Sequence, residues 1–255
     1  MTLEHITEAN RASWNQIAAV RHGRPAEFFK AGGLALEDLE LTLAGDVTGK
    51  RVLHLACSCG DEVLSWANRG ATAIGADISD VAITMAQQKA AAAGITADFR
   101  RANMFDLPPD LVDLDLIYLS WGAICWAPDL TRLATVIATR LRPGGAVLLA
   151  DHHPLWEVLA VRAPNHLAVA GDYFGRATSR TDTDNTKRPI GARDTPTPPP
   201  FQAFVWPVSD VIMSFLQAGL TLTSFTEHPA PDSYPALGPA ASHLPAYYVI
   251  KATKS

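Results

Sequence analysis

The stretch Arg51 to Ser79, RVLHLACSCGDEVLSWANRGATAIGADIS, leaves the chain few folds to choose from. Val52, Leu53, Leu55 and Ala56 form a short apolar run, as a strand buried on both faces does. Cys57 to Gly60 is a turn of small residues. Val63, Leu64, Trp66 and Ala67 then recur at helical spacing. Thr72 to Ala76 is a second apolar run, and Asp77 follows it at once. Strand, tight turn, helix, strand and carboxylate in that order predict a parallel βαβ unit, because its crossover helix covers the sheet. Such sheets bind ligands beyond the carboxyl ends of their strands, where the turn and Asp77 both lie.

The turn narrows the ligand. A dinucleotide fingerprint needs three glycines that let a pyrophosphate reach the backbone. Here Gly60 stands alone among Ala56, Cys57, Ser58 and Cys59, which argues against an NAD-dependent oxidoreductase. Asp77 comes 17 residues after Gly60, near the roughly twenty expected of a ribose-binding carboxylate. A ribose is implied and a diphosphate is not required, a combination that suits S-adenosylmethionine (SAM).

The pattern resembles the class I SAM-dependent methyltransferases. More narrowly, it is similar to a small-molecule branch whose first motif reads HLxCxxGxxxLSxAxxGAxxxGxDxS, against HLACSCGDEVLSWANRGATAIGADIS here. His54 stands where that family has an acidic residue, and Ala56 and Ser58 stand where it has its first two glycines. The likeness is strongest from Gly49 to His153. It implies an α/β fold with a doubly wound, seven-stranded, mostly parallel sheet, and SAM as cofactor. It places His54, Ala56, Ser58, Gly60, Asp77 and Ile78 around that cofactor.

Composition excludes several other classes. With 255 residues, the chain is one large domain or one domain with a cap. Hydrophobic residues make up 48% and charged residues 18%, and the net charge is −5 without a dense basic patch, which disfavours nucleic acid. No apolar run reaches the length of a membrane span. Residues 1 to 30 lack the apolar core of a secretory signal, so a cytoplasmic enzyme is expected. The 3 cysteines make no disulfide framework, and the CSC triplet reads as small turn residues rather than a metal site.

Along the chain, residues 5 to 20 predict an amphipathic helix with Trp14, Ile17 and Ala18 on one face. It is either a helix packed on the core or, as the resemblance favours, a lid that brings Trp14 and His22 near the methionine end of SAM. Leu34 to Leu43 is a further helical stretch. Ser79 can cap a helix that Gly94 ends. After a third strand, Ala97 to Arg101, Asn103 matches the family's adenine-binding aspartate, and its amide oxygen could accept the adenine amino hydrogen. Met104 would lie on the adenine face. Leu114 to Leu119 is a fourth strand. It ends in Ser120-Trp121-Gly122, where Trp121 is either core or a wall whose π face favours a cation. A helix to Arg142 and the turn Pro143-Gly144-Gly145 lead to a fifth strand.

Asp151-His152-His153-Pro154 closes that strand. His152 and His153 are the general-base candidates, since imidazole titrates near neutrality; alternatively one of them only shapes the pocket. Residues 176 to 200 are polar and proline-rich and predict a long loop or a segment that orders on binding. Tyr173, Phe174, Trp206 and neighbouring aromatics flank it and, with Trp121 and His153, are candidates to hold the substrate; alternatively the flanking rings staple the loop to the core. The last helix starts at Pro207, and two strands, 221 to 227 and 246 to 252, form an antiparallel edge pair. One domain results. Residues 1–46 are a helical lid, 47–159 the SAM-binding core, 160–205 a substrate cap, and 206–255 the last helix and strand pair. The function expected is methyl transfer to a small, aromatic or apolar metabolite of the natural-product tailoring kind, at O, N or C. A non-catalytic cofactor- or partner-binding module is the alternative, and an oligomer is compatible with either.

Overall fold

In the computed structural model, residues 2–163, 166–182 and 201–255 are described. The first half runs α1 (Leu3–Ala18), α2 (Ala26–Lys30), α3 (Asp38–Ala44), β1 (Arg51–Leu55), α4 (Asp61–Asn68), β2 (Thr72–Asp77), α5 (Asp80–Ala93), β3 (Asp98–Arg101) and β4 (Leu114–Ser120). The second half runs α6 (Leu130–Arg140), β5 (Leu141–His152), α7 (Leu155–Val158), β6 (Leu159–Ala163), β7 (His166–Val169), β8 (Arg176–Asp182), β9 (Phe201–Val205), α8 (Val208–Gln217), β10 (Leu220–His228) and β11 (Tyr247–Lys254).

The main sheet has 7 strands in the order β10-β11-β5-β4-β1-β2-β3. β1 to β5 pair in parallel, and β11 pairs antiparallel with both β5 and β10. This is the predicted doubly wound sheet with an antiparallel edge pair. The strand order reverses between β1 and β4, so the crevice beyond their carboxyl ends is the switch point where such sheets bind ligands.

Alternation along the strands builds two cores. Leu53, Leu55, Ile117, Leu119 and Leu149 face α6 and α8. Val52, Leu116, Tyr118, Leu148 and Ala150 face α4 and α5, with Phe29 of α2 beneath them. Helices on both faces are why the central strands read as unbroken apolar runs. By contrast, β10 alternates between shielded and exposed positions, as an edge strand covered on one face does.

Three local features differ from expectation. α6 stops at Arg140, and Arg142 to Gly145 form an irregularity inside β5, where pairing shifts between Leu114↔Leu141 and Leu116↔Ala146. The start of the predicted loop, Arg176 to Asp182, is a strand that pairs antiparallel with β9; the rest of that loop, 183–200, lies outside the described residues. A polar sequence can pair there because β9 supplies the apolar anchors, Phe201, Phe204 and Val205, all buried. Finally, α1 buries Ile6, Thr7, Asn10, Ser13 and Ala18 instead of a face carrying Trp14 and Ile17. Its Leu3 packs against the apolar core. Asn10 exchanges two hydrogen bonds with the main chain of Gln202 in β9, and Asn15 accepts from the Ser79 hydroxyl that caps α5.

Candidate active site

Beyond the carboxyl ends of β1, β2, β3 and β4 lies a cavity of about 880 Å³ including its open mouth, roofed by α1. Of the residues expected around a cofactor, Trp14, His54, Ala56, Ser58, Asp77, Ile78, Asn103, Met104, Ser120 and Trp121 all line it. Gly60 does not. It is the left-handed N-cap of α4, and a Cβ there would come within 2.8 Å of the Phe99 ring, so its role is close packing. His22 is exposed and off the cavity; its carbonyl accepts from Lys89.

The β1–α4 turn keeps the backbone of a glycine loop without its glycines. Ala56 has φ 58° and Ser58 φ 49°, a left-handed conformation that costs an L-residue about 1–2 kcal/mol. Asp77 explains why the turn holds. Its Oδ2 accepts from the Ser58 main-chain N–H at 2.8 Å, and its Oδ1 accepts from the Ser79 N–H at 2.8 Å. Burial pushes the Asp77 carboxyl up, against the pull of those two N–H groups.

Two expected contacts are altered. His54 is buried, and its Nε2 lies 3.0 Å from Ser120 Oγ while its Nδ1 has no partner. Desolvation drives its pKa down to about 3, so the ring is neutral. At Asn103 the amide oxygen accepts from the Phe105 N–H at 3.0 Å, closing a local turn. The side-chain NH₂, rather than that oxygen, is therefore its uncommitted group toward the cavity.

The far end of the cavity is built by Asp151. This buried carboxylate accepts from the main-chain N–H groups of Gly122, Ile124 and His152. It fixes the turn in which Trp121 has φ 40° and Gly122 φ 97°. Burial still pushes the Asp151 carboxyl up. The Trp121 ring meets His152 and Tyr247, each at 5.5 Å between centroids, and His152 stacks on Trp156 at 5.2 Å.

A second cavity of about 370 Å³ adjoins the first at Gly122, with His152, Glu157, Phe204, Trp206 and Tyr248 in its wall. The two candidate bases separate here. His152 reaches this cavity; His153 reaches neither. The His153 Nδ1 accepts from the Leu155 N–H at 3.2 Å and its Nε2 lies 3.0 Å from Glu227 Oε1, with burial holding the ring's pKa down. Both nitrogens are committed, so His153 reads as a structural residue. Tyr173 and Phe174 line neither cavity. They pack on each other at 5.1 Å in a turn closed by Asp172, and Phe174 is 66% exposed. Trp206 lines the second cavity, its indole N–H donating to the Ala127 carbonyl at 2.8 Å.

The sequence did not mark Thr7, Asn10, Arg21 or Glu62, all of which line the first cavity. The sequence signal for Glu62 was its place in the first turn of α4, directly behind the β1–α4 turn. Arg21 carried none, since it lies between two helices. Among the described residues no group of three His, Cys, Asp or Glu could hold a metal ion, and no helix is long and apolar enough to cross a membrane.

Residues 52–145 match a family described as "Methyltransferase domain". An uncharacterized protein of Mycobacterium tuberculosis is 33% identical over 104 residues, 41% of this chain and 38% of that one. A ubiquinone biosynthesis O-methyltransferase of Rhizobium etli is 31% identical over 102 residues, 40% of this chain and 41% of that one. The chain thus spans less than half the length of these curated relatives. Among solved structures, an S-adenosylmethionine-dependent methyltransferase from Mesorhizobium loti shares the fold with a TM-score of 0.62 at 18% identity, over 85% of this chain and 96% of that one.

Proposed function

We propose that this chain, whose residues 52–145 match a methyltransferase-domain family, is a class I SAM-dependent methyltransferase that transfers the methyl group of SAM to a small-molecule acceptor. The observation that carries the reading is Asp77. It lies in the cavity wall at the end of β2, where a ribose-binding carboxylate belongs, and it holds the main chain of Ser58 and Ser79 beside it. The residues fit a polar ligand: the Nδ1 of His54 is buried in the cavity wall with no partner.

When bound, SAM supplies an electrophilic methyl on a positively charged sulfur. The chain's own part is to bind, orient and exclude water. Asp77 suits the ribose hydroxyls, and the Asn103 NH₂ and the Met104 thioether suit the adenine. Trp121, held at the junction of the two cavities, offers a π face to a cation. Orientation of an acceptor toward that methyl can contribute roughly 7–11 kcal/mol in a favourable case. The second cavity suits a small acceptor with apolar or aromatic surface and a hydroxyl, amine or electron-rich carbon near His152. Phe204, Trp206 and Tyr248 supply the apolar wall, and His152 the base.

Calorimetric titration with SAM and S-adenosylhomocysteine tests the cofactor half; no heat at millimolar ligand overturns it. Incubation of phenols, aromatic acids, indoles and amines with SAM, read by mass for one added methyl, tests the transfer. Cofactor binding without transfer to any member of such a panel would favour a non-catalytic binding module.

A further inference from the structure

We propose that Glu62 and Arg21 hold the amino-acid end of the cofactor, the Glu62 carboxylate meeting its ammonium group and the Arg21 guanidinium its carboxylate. The assignment rests on the cofactor reading above and moves the anionic contact from position 54, where the resemblance expects it, to α4.

Position 54 cannot supply the charge. His54 is 1% exposed, its Nε2 is committed to Ser120, and its ring is neutral. A neutral imidazole can accept a hydrogen bond from an ammonium but cannot balance its charge. Besides Asp77, whose oxygens are held by the Ser58 and Ser79 N–H groups, the cavity contains a second carboxylate without a cation, Glu62. Glu62 sits in the first turn of α4, beside the Ala56–Ser58 turn, and no Lys, Arg or His among the described residues lies within ion-pair distance of it. Its surroundings are otherwise unfavourable to an anion: burial opposes its charge first, then Asp61 and Glu40, while a main-chain N–H and, more weakly, Arg21 favour it. An ammonium group delivered by a ligand is the missing partner.

Arg21 is the complementary half. Its guanidinium lies 5.7 Å over the Trp14 ring in the same cavity, and it too has no ion-pair partner among the described residues. The chain that carries it is tied down. The Arg24 main-chain N–H donates to Asp61 Oδ2 at 2.7 Å, and Lys89 donates both to the His22 carbonyl at 2.8 Å and to Asp61. The segment between α1 and α2 is thus fastened to α4 and α5, and Arg21 is presented over the cavity by backbone held at its next residues. Glu62 and Arg21, a carboxylate and a guanidinium without ion-pair partners in one cavity, match a zwitterion, which an amino acid is at neutral pH. Guanidinium and carboxylate also share the planar fork that favours paired hydrogen bonds.

The test is calorimetry with two probes on the full chain. S-Adenosylhomocysteine carries the amino-acid end; 5′-methylthioadenosine keeps the nucleoside and thioether but lacks it. Glu62→Gln and Arg21→Met should each weaken S-adenosylhomocysteine by about tenfold or more and leave methylthioadenosine within about twofold. Unchanged affinity for S-adenosylhomocysteine in both variants overturns the assignment, as does an equal loss of both probes. If the unaltered protein binds neither probe, the cofactor reading falls and this assignment with it. If it binds both and the variants do not discriminate, only this assignment falls.

Discussion

Asp151 holds Trp121 in a left-handed turn from the neighbouring strand. Its two oxygens accept from the Gly122 and Ile124 N–H groups, while the Trp121 N–H donates to the Ala150 carbonyl at 2.8 Å. A φ of 40° at a tryptophan is strained, and strain of this kind persists only where surrounding bonds over-determine it. Asp151→Asn keeps the shape but offers one acceptor oxygen, so an NH₂ must face a main-chain N–H. The variant should lose about 2–4 kcal/mol of stability. Its Trp121 fluorescence, read in a background with the other tryptophans replaced by phenylalanine, should also shift. A variant that melts within a degree of the parent would contradict this view of the turn.

The turn at Ala56 and Ser58 gives the opposite kind of prediction. Both residues hold positive φ without the glycine that makes it free of strain. Ser58→Gly removes that strain but adds entropy to the unfolded chain, so it should be neutral or stabilising by up to about 1 kcal/mol. Ser58→Val should cost about 2 kcal/mol or more, because a branched Cβ is worst placed in that region. Thermal melts of the two variants decide it, and a Gly variant clearly less stable than the Val variant would show that the left-handed turn carries no strain.

These two turns mark what a sequence can and cannot disclose. The β1–α4–β2 unit was legible because a sheet covered on both faces writes apolar runs into the chain, and because Asp77 follows its strand without a gap. The glycine-type conformation was legible only as a position, since Ala56 and Ser58 carry no sign of φ. Arg21 and Glu62 were not marked because their meeting depends on how the segment after α1 is fastened to Asp61 and Lys89. Tyr173 and Phe174 line neither cavity for a related reason: aromatic composition does not say what a ring will pack against, and here the two meet each other while Phe174 stays largely exposed. Asn103 lines the cavity, but a short turn claims its oxygen, which no sequence pattern discloses.

Glu62 imposes a pH dependence whose sign is fixed. Burial pushes its carboxyl up to about 7, against an ordinary value of about 4.3. Between those values the folded protein without ligand keeps a proton that the unfolded chain has released. The contribution is full below about pH 4 and is lost as pH rises through about 7, up to about 4 kcal/mol in all. His54 runs the other way. With its value down to about 3, its contribution is full above about pH 6.5 and is lost as pH falls toward 3. Comparing the parent with Glu62→Gln isolates the first effect. The parent's advantage in melting temperature should shrink steadily from pH 5 to about pH 8. A gap that does not move with pH would show that Glu62 is ionised throughout and well solvated.

The histidine pair yields the sharpest contrast in function. His153 has both ring nitrogens engaged, by Leu155 and Glu227, and touches neither cavity. His153→Ala should therefore lower stability by about 1–3 kcal/mol and leave the turnover of the folded fraction nearly unchanged. His152 lines the second cavity, stacks on Trp156 and meets the Trp121 ring at a tilt of 59°. For an acceptor whose hydroxyl or amine must lose a proton, His152→Ala should lower kcat by about a hundredfold or more, with S-adenosylhomocysteine affinity almost intact. His152→Gln keeps a polar side chain without a base near neutrality, so it should fail in the same way. Measuring both variants against one acceptor across pH separates the roles: the parent's rate should rise along an acid limb that the His152 variants lack and the His153 variant keeps. If His153→Ala instead abolishes that limb, the base lies on the other face of the strand and the second cavity is not where the acceptor gives up its proton.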